Sequence, residues 1–152
     1  MIRTERRLRL CLTLIVLNIC FIWGNSLLPG ELSGAFSDWV KNLLANLFSG
    51  GDSGTSGGLI RKLAHFSEFA MLGMLLAWFF GMLRKNALWP FALGFFTASM
   101  DETIQRFVPN RGPSVWDVLL DTSGVLVGML VLYAGYTVMK KRTNLSMEET
   151  KQ

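Results

Sequence analysis

The sequence predicts an all-α integral membrane protein, a bundle of four transmembrane helices with one further amphipathic helix at the membrane interface. Three observations predict it. About half of the 152 residues are apolar, and they gather into four stretches, each near the ~20 residues that cross ~30 Å of hydrocarbon. Nine of the fifteen Lys and Arg residues stand beside the ends of those stretches: Arg3, Arg6, Arg7, Arg9, Arg84, Lys85, Lys140, Lys141 and Arg142. Such placement marks topology. Eight of the other charges crowd into one end of the second, third and fourth stretches, where a charge is costly unless it faces a bundle interior or a watery cavity.

Residues 1–7 form a basic leader expected in the cytoplasm, and residues 8–28 the first span. The apolar run is longer than the roughly 7–15 residues of a signal-peptide core, and no small-x-small cleavage pattern follows it. Asn18, Asn25 and Ser26 interrupt its far half, and interhelical hydrogen bonding is their first expected role. Cys11 and Cys20 are nine residues apart, about 13 Å along a helix axis. A disulfide needs less than about 7 Å, so both are taken as small apolar span residues.

Residues 29–58 form an extracytoplasmic loop. Within it, segment 35–48 places Phe36, Trp39, Val40, Leu43, Leu44, Leu47 and Phe48 on one face, opposite Asp38, Lys41, Asn42 and Asn46. That stripe suits a helix lying in the membrane interface, with a soluble helix packed over the bundle as the alternative. The run SGGDSGTSGG at 49–58 is a flexible linker.

The second span, Leu59 to Leu83, carries Arg61, Lys62, His65 and Glu68 in its first ten residues and no charge from Phe69 onward. Arg84-Lys85-Asn86 joins it to the third span, Ala87 to Phe107, where the asymmetry is reversed. There Asp101, Glu102, Gln105 and Arg106 all arrive after Met100. Pro90 falls in the first turn, where a missing amide proton matters least. Pro109-Asn110-Arg111-Gly112-Pro113 turns the chain. The fourth span occupies 115–139, with Asp117 and Asp121 at its start, and 140–152 is read as a disordered cytoplasmic tail.

The leader, the Arg84-Lys85 connection and the Lys140 cluster fall on one side for an even number of spans, and their basic residues make that side cytoplasmic. The polar ends of spans two, three and four then meet at one depth in the outer half of the membrane. Helical spacing puts Arg61, His65 and Glu68 on one face, Asp101 and Gln105 on a second, and Asp117, Asp121, Gly124 and Gly128 on a third.

Each group has a plainer structural reading. Glu102 and Arg106 form an i, i+4 pair. Ser114-Val115-Trp116-Asp117 matches a capping box, so Asp117 could serve amide donors at the start of span four. Gly124 and Gly128 form a GxxxG pattern suited to close helix packing. Asp121 lies a turn beyond any cap and needs a buried partner, for which Arg61, Arg106 and Arg111 are the candidates.

The stretches RKLAHFSEFAMLG (Arg61 to Gly73), DETIQRFVPNR (Asp101 to Arg111) and SVWDVLLDTSGVLVG (Ser114 to Gly128) resemble the VanZ-like family of small bacterial membrane proteins. The resemblance covers about residues 60 to 130, so a VanZ-like core is set at 59–130. Family members often carry Asn where Asp121 stands and an aromatic such as Tyr near Phe69. The resemblance implies work in the cell envelope, and its named member is associated with resistance to the glycopeptide teicoplanin.

The resulting expectation is a multi-pass protein of the bacterial cell membrane, both termini cytoplasmic, with an outward-facing polar site that binds or modifies an envelope component. Arg61, Lys62, Arg106 and Arg111 would supply charge-assisted bonds to the phosphate of a lipid head group or peptidoglycan precursor. Glu68, Asp101, Glu102, Gln105, Ser114, Asp117 and Asp121 would orient those cations or meet sugar hydroxyls. A membrane enzyme acting on a lipid-linked phosphate or ester is the first alternative, with His65 as base or nucleophile oriented by Glu68. Under it, His65, Glu68, Asp101, Asp117 and Asp121 could hold a divalent metal. No motif of known spacing supports catalysis or metal binding, so no metal and no cofactor are expected. The second alternative is a structural charge network. Nucleic acid is not an expected partner, because the basic residues mark span ends.

Overall fold

Apolar stretches in a membrane must satisfy their backbone groups internally, and each one here folds as a helix. A computed structural model describes residues 2–29, 31–32, 35, 57–112 and 114–149. Its long helices are α1 (Ile2–Ser26), α2 (Gly57–Met82), α3 (Leu88–Gln105) and α4 (Val115–Glu149), and no strand occurs among the described residues. Among the described residues, three stretches are long and apolar enough to cross a membrane: Thr4–Ser26, Arg61–Met82 and Val115–Thr143. Helix α3 is not among them, since its 18 residues close on Asp101, Glu102 and Gln105. The expected interfacial helix at 35–48 lies, beyond Ala35, outside the described residues. So does the linker, except that its last two residues, Gly57 and Gly58, already open α2.

Two boundaries differ from the sequence expectation. Helix α1 runs through the basic leader from Ile2, and α4 continues past Lys140-Lys141-Arg142 to Glu149. Lys, Arg and Glu are good helix formers, and neither segment contains Gly or Pro. At 35 residues, α4 is about 52 Å long, well beyond the hydrocarbon thickness.

Helix α2 is central and touches the other three, most extensively α4. The α2–α4 contact is backbone on backbone. A Cβ on Gly124 would lie 2.6 Å from the Phe66 carbonyl oxygen, and one on Gly128 would collide with that of Ala70. The GxxxG pattern therefore packs α4 against α2 within the chain. Phe69, Leu72, Leu76, Ala98, Val125 and Met129 fill the space around it.

Helix α1 adds one narrow stripe: Cys11, Ile15, Asn18, Ile22 and Ser26 are buried, and the Cys11 thiol donates to the Leu75 carbonyl at 3.5 Å. Leu10, Leu12, Val16, Leu17 and Phe21 are exposed on its other sides. A helix apolar all round with only a stripe covered by protein is suited to lipid on its remaining faces.

The connections place the polar ends together. Helix α2 stops in a Schellman turn, with Lys85 N–H donating to Phe80 O at 3.0 Å and Arg84 N–H to Gly81 O at 3.1 Å. Arg84 takes the left-handed conformation, φ 54°, that this turn demands. Pro90 is buried in the first turn of α3. After α3, Asn110 at φ 59° reverses the chain and its side chain donates to Glu31 at 2.9 Å; Asn tolerates this conformation better than most residues.

Candidate functional site

The start of α2, the end of α3, the start of α4 and the end of α1 converge, and their polar side chains bond across helices. Asn25 on α1 donates from Nδ2 to Glu68 Oε1 on α2 at 3.0 Å. Gln105 on α3 donates to Asp101 Oδ2 at 2.9 Å and points the same amide at the Ser26 hydroxyl, 3.4 Å away. Arg111 donates from Nη2 to the Asn25 carbonyl at 2.9 Å. Lys62 Nζ on α2 lies 3.2 Å from Asp117 Oδ1 on α4. Helix α1 is thus part of the site, a contribution absent from the expected site residues. The signal was present in Asn25 and Ser26, which stand at the end of the apolar run.

Glu102 and Ser114 divide their roles differently from the expected pairings. Ser114 N–H donates to Glu102 Oε2 at 2.9 Å, while the Ser114 hydroxyl accepts from Trp116 N–H at 3.2 Å. Glu102 on α3 therefore occupies the amide that a capping box would have given to Asp117. Asp117 is free to pair with Lys62. Arg106 is exposed and makes no ion pair with Glu102 among the described residues.

A cavity of about 210 Å³ opens between these elements, lined by Arg61, Lys62, His65, Glu102, Gln105, Asp117, Leu120 and Asp121. Seven of those eight were expected site residues. Arg111 sits behind the lining, 8% exposed, with Nε and Nη1 lacking hydrogen-bond partners among the described residues. Burial is the largest influence on its guanidinium and lowers its pKa; the Arg61 charge acts the same way, and Asp101, Glu102 and Glu68 oppose both. Glu68 is also outside the lining, on the Asn25 side.

Beneath the cavity lies a small set of buried acceptors. Asp101 is 0% exposed and Asp121 1% exposed, and each has an Oδ1 without a hydrogen-bond partner among the described residues. His65 Nδ1 is also unpartnered, 4.0 Å from Asp101 Oδ2, too far for a hydrogen bond. Asp121 does not find the arginine expected for it: among the described residues it makes no ion pair, and its electrostatic neighbours are the carboxylates of Asp101, Glu102, Asp117 and Glu68. The physical reason is geometric. Arg111 reaches the end of α1 and Arg106 is exposed, while Arg61 lines the same cavity as Asp121 without coming within ion-pair distance of it.

Chemically, the arrangement offers two cations at an accessible cavity, Arg61 and Lys62, above carboxylates that accept hydrogen bonds. It suits a ligand carrying both an anionic group and hydroxyl donors. No curated protein and no solved structure matches the chain. The family described as VanZ/LLP1 matches residues 10–138, which include the polar site and the greater part of all four helices. With that match over most of its length, the chain belongs to the VanZ/LLP1 family.

Proposed function

We propose that this protein is a multi-pass envelope membrane protein whose polar cavity binds the head group of an envelope lipid bearing phosphate and sugar. The observation that carries the reading is the cavity lined together by Arg61, Lys62, Glu102, Asp117 and Asp121 at the polar ends of apolar helices. A phosphate takes charge-assisted bonds from Arg61 and Lys62, and sugar hydroxyls donate to the carboxylates. Exposed apolar residues beside it, Phe107, Val115 and Trp116 among them, suit the acyl chains of the same lipid.

In this reading α3 is a fourth span. Burial of Asp101 and Glu102 inside the bundle supports it, because neither acid then faces hydrocarbon. Four spans put both termini in the cytoplasm of a bacterial cell and the cavity at the outer surface. Reporter fusions after Arg84 and after Arg111 test this: only the second reports an external location.

Binding is tested with protein in mild detergent and a panel of envelope lipids bearing phosphate or pyrophosphate. Arg61→Gln weakens retention of the preferred lipid about tenfold, the value of one charge-assisted bond. Equal retention by Arg61→Gln and Lys62→Gln sinks the proposal. Turnover that disappears in His65→Ala would instead make it an enzyme. A link to teicoplanin resistance, implied by the family resemblance, predicts a lower inhibitory concentration when Arg61→Gln replaces the unaltered protein in an expressing host.

A further inference from the structure

The unpartnered acceptors below the cavity fit a cation better than they fit one another. His65, Asp101 and Asp121 each offer one ligand atom, and the three atoms lie within 4.8 Å of one another. They come from α2, α3 and α4, so the packing of three separate helices converges on one point. Two of the residues are almost wholly buried, and Asp101 Oδ1 and Asp121 Oδ1 have no donor among the described residues. Two carboxylates at this separation with no cation are costly, since burial removes the water that would screen them. Such a pair either keeps a proton or shares a cation, and the convergence of a third ligand atom from His65 favours the cation.

We infer that His65, Asp101 and Asp121 form a binding site for one divalent metal ion. Two carboxylate oxygens with one imidazole nitrogen suit zinc or manganese better than the all-oxygen surroundings calcium and magnesium favour. Donors about 2.1 Å from a shared ion stand roughly 3.0–3.4 Å apart at octahedral or tetrahedral angles. Ligand atoms that stand at most 4.8 Å apart therefore close by up to about 1.4–1.8 Å when the ion binds. Gln105 prepares one of them: its amide holds Asp101 Oδ2 at 2.9 Å and leaves Oδ1 free, the kind of outer contact that orients a ligating carboxylate. His65 and Asp121 also line the cavity, so the ion's open positions face it. The site stands whether or not the cavity holds a lipid.

The test uses the full chain, without a histidine tag, in lipid-free detergent after exhaustive dialysis against a chelator. Equilibrium dialysis against Zn²⁺ or Mn²⁺ alone, with the metal quantified by mass spectrometry, is expected to give one ion per chain. Asp121→Asn and His65→Gln each weaken binding at least about tenfold, whereas Glu5→Gln at the far end of α1 does not. Substoichiometric binding, or binding that both site variants leave unchanged, overturns the inference. If a variant does not fold, thermal unfolding of the unaltered chain decides: an ion held by the native state raises Tm with metal concentration, and a Tm indifferent to both metals overturns the site. Because no lipid is present, failure here leaves the head-group reading to its own experiment.

Discussion

The Arg111 guanidinium donates to the backbone carbonyl of Asn25 at 2.9 Å, and this bond ties the turn after α3 to the last turn of α1. Arg111 thus works in two directions. It anchors a helix end, and its charge faces Asp101, Glu102 and Glu68. The side chain of Asn25 meets Glu68, so one residue of α1 relays the turn to α2.

Replacing Arg111 with Gln removes a charge-assisted bond worth about 1.5–3 kcal/mol. The expected result is a lower Tm in detergent and faster proteolysis between residues 106 and 114. Arg111→Lys restores charge without the fork and recovers only part of the loss. A Tm unchanged in Arg111→Gln would show that the tie carries no stability.

Gly128→Ala places a methyl against the Ala70 carbonyl, backbone that cannot give way. Helices α2 and α4 must separate, at about 1–3 kcal/mol. Gly135→Ala meets nothing within 4 Å and adds helix propensity, so it leaves stability unchanged or raises it by under about 1 kcal/mol. Thermal unfolding of the two variants side by side checks the contrast.

Glu102 caps α4 from another helix. Glu102→Ala leaves Ser114 N–H without its acceptor and lowers stability by about 1–2 kcal/mol, whereas Glu102→Gln keeps an acceptor oxygen and loses less. Hydrogen exchange at the first turn of α4 reads the difference directly. Equal protection in the two variants would remove the capping role.

The Lys62–Asp117 pair, with side chains 57% and 26% exposed, is worth little to folding, under about 1 kcal/mol. Asp117→Asn therefore shifts Tm only slightly. If Lys62 serves the cavity's ligand, the same substitution strengthens retention of a phosphate-bearing lipid, because it frees the ammonium while the Asn amide keeps an acceptor oxygen for a hydroxyl. A large fall in Tm would instead mark the pair as structural.

Much of this arrangement was legible along the chain. The asymmetric charge of the second, third and fourth apolar stretches points to polar ends that meet, and Lys62–Asp117 and His65 beside Asp101 are such meetings. The i, i+4 rule for Glu102 and Arg106 was a poorer guide. It considers only one helix, and Glu102 found a better donor in Ser114 twelve residues on. Asp121 shows the same limit. Charge counting supplies three arginines, but among the described residues none comes within ion-pair distance of Asp121, although Arg61 lines the same cavity.

The sequence by itself determined the helical class, the family, the apolar runs and the ends of those runs at which their charges collect. These follow from hydropathy and a 3.6-residue period, which are properties of each segment alone. Only the tertiary structure decided which charges pair. The backbone contact of Gly124 and Gly128 with α2 sets the rotation of α4, and that rotation carries Asp121 to His65 and Asp101. The left-handed turn at Asn110 carries Arg111 to α1 instead. Partner choice for a buried charge depends on distances of a few ångströms between helices, a scale on which spacing along the chain carries no information.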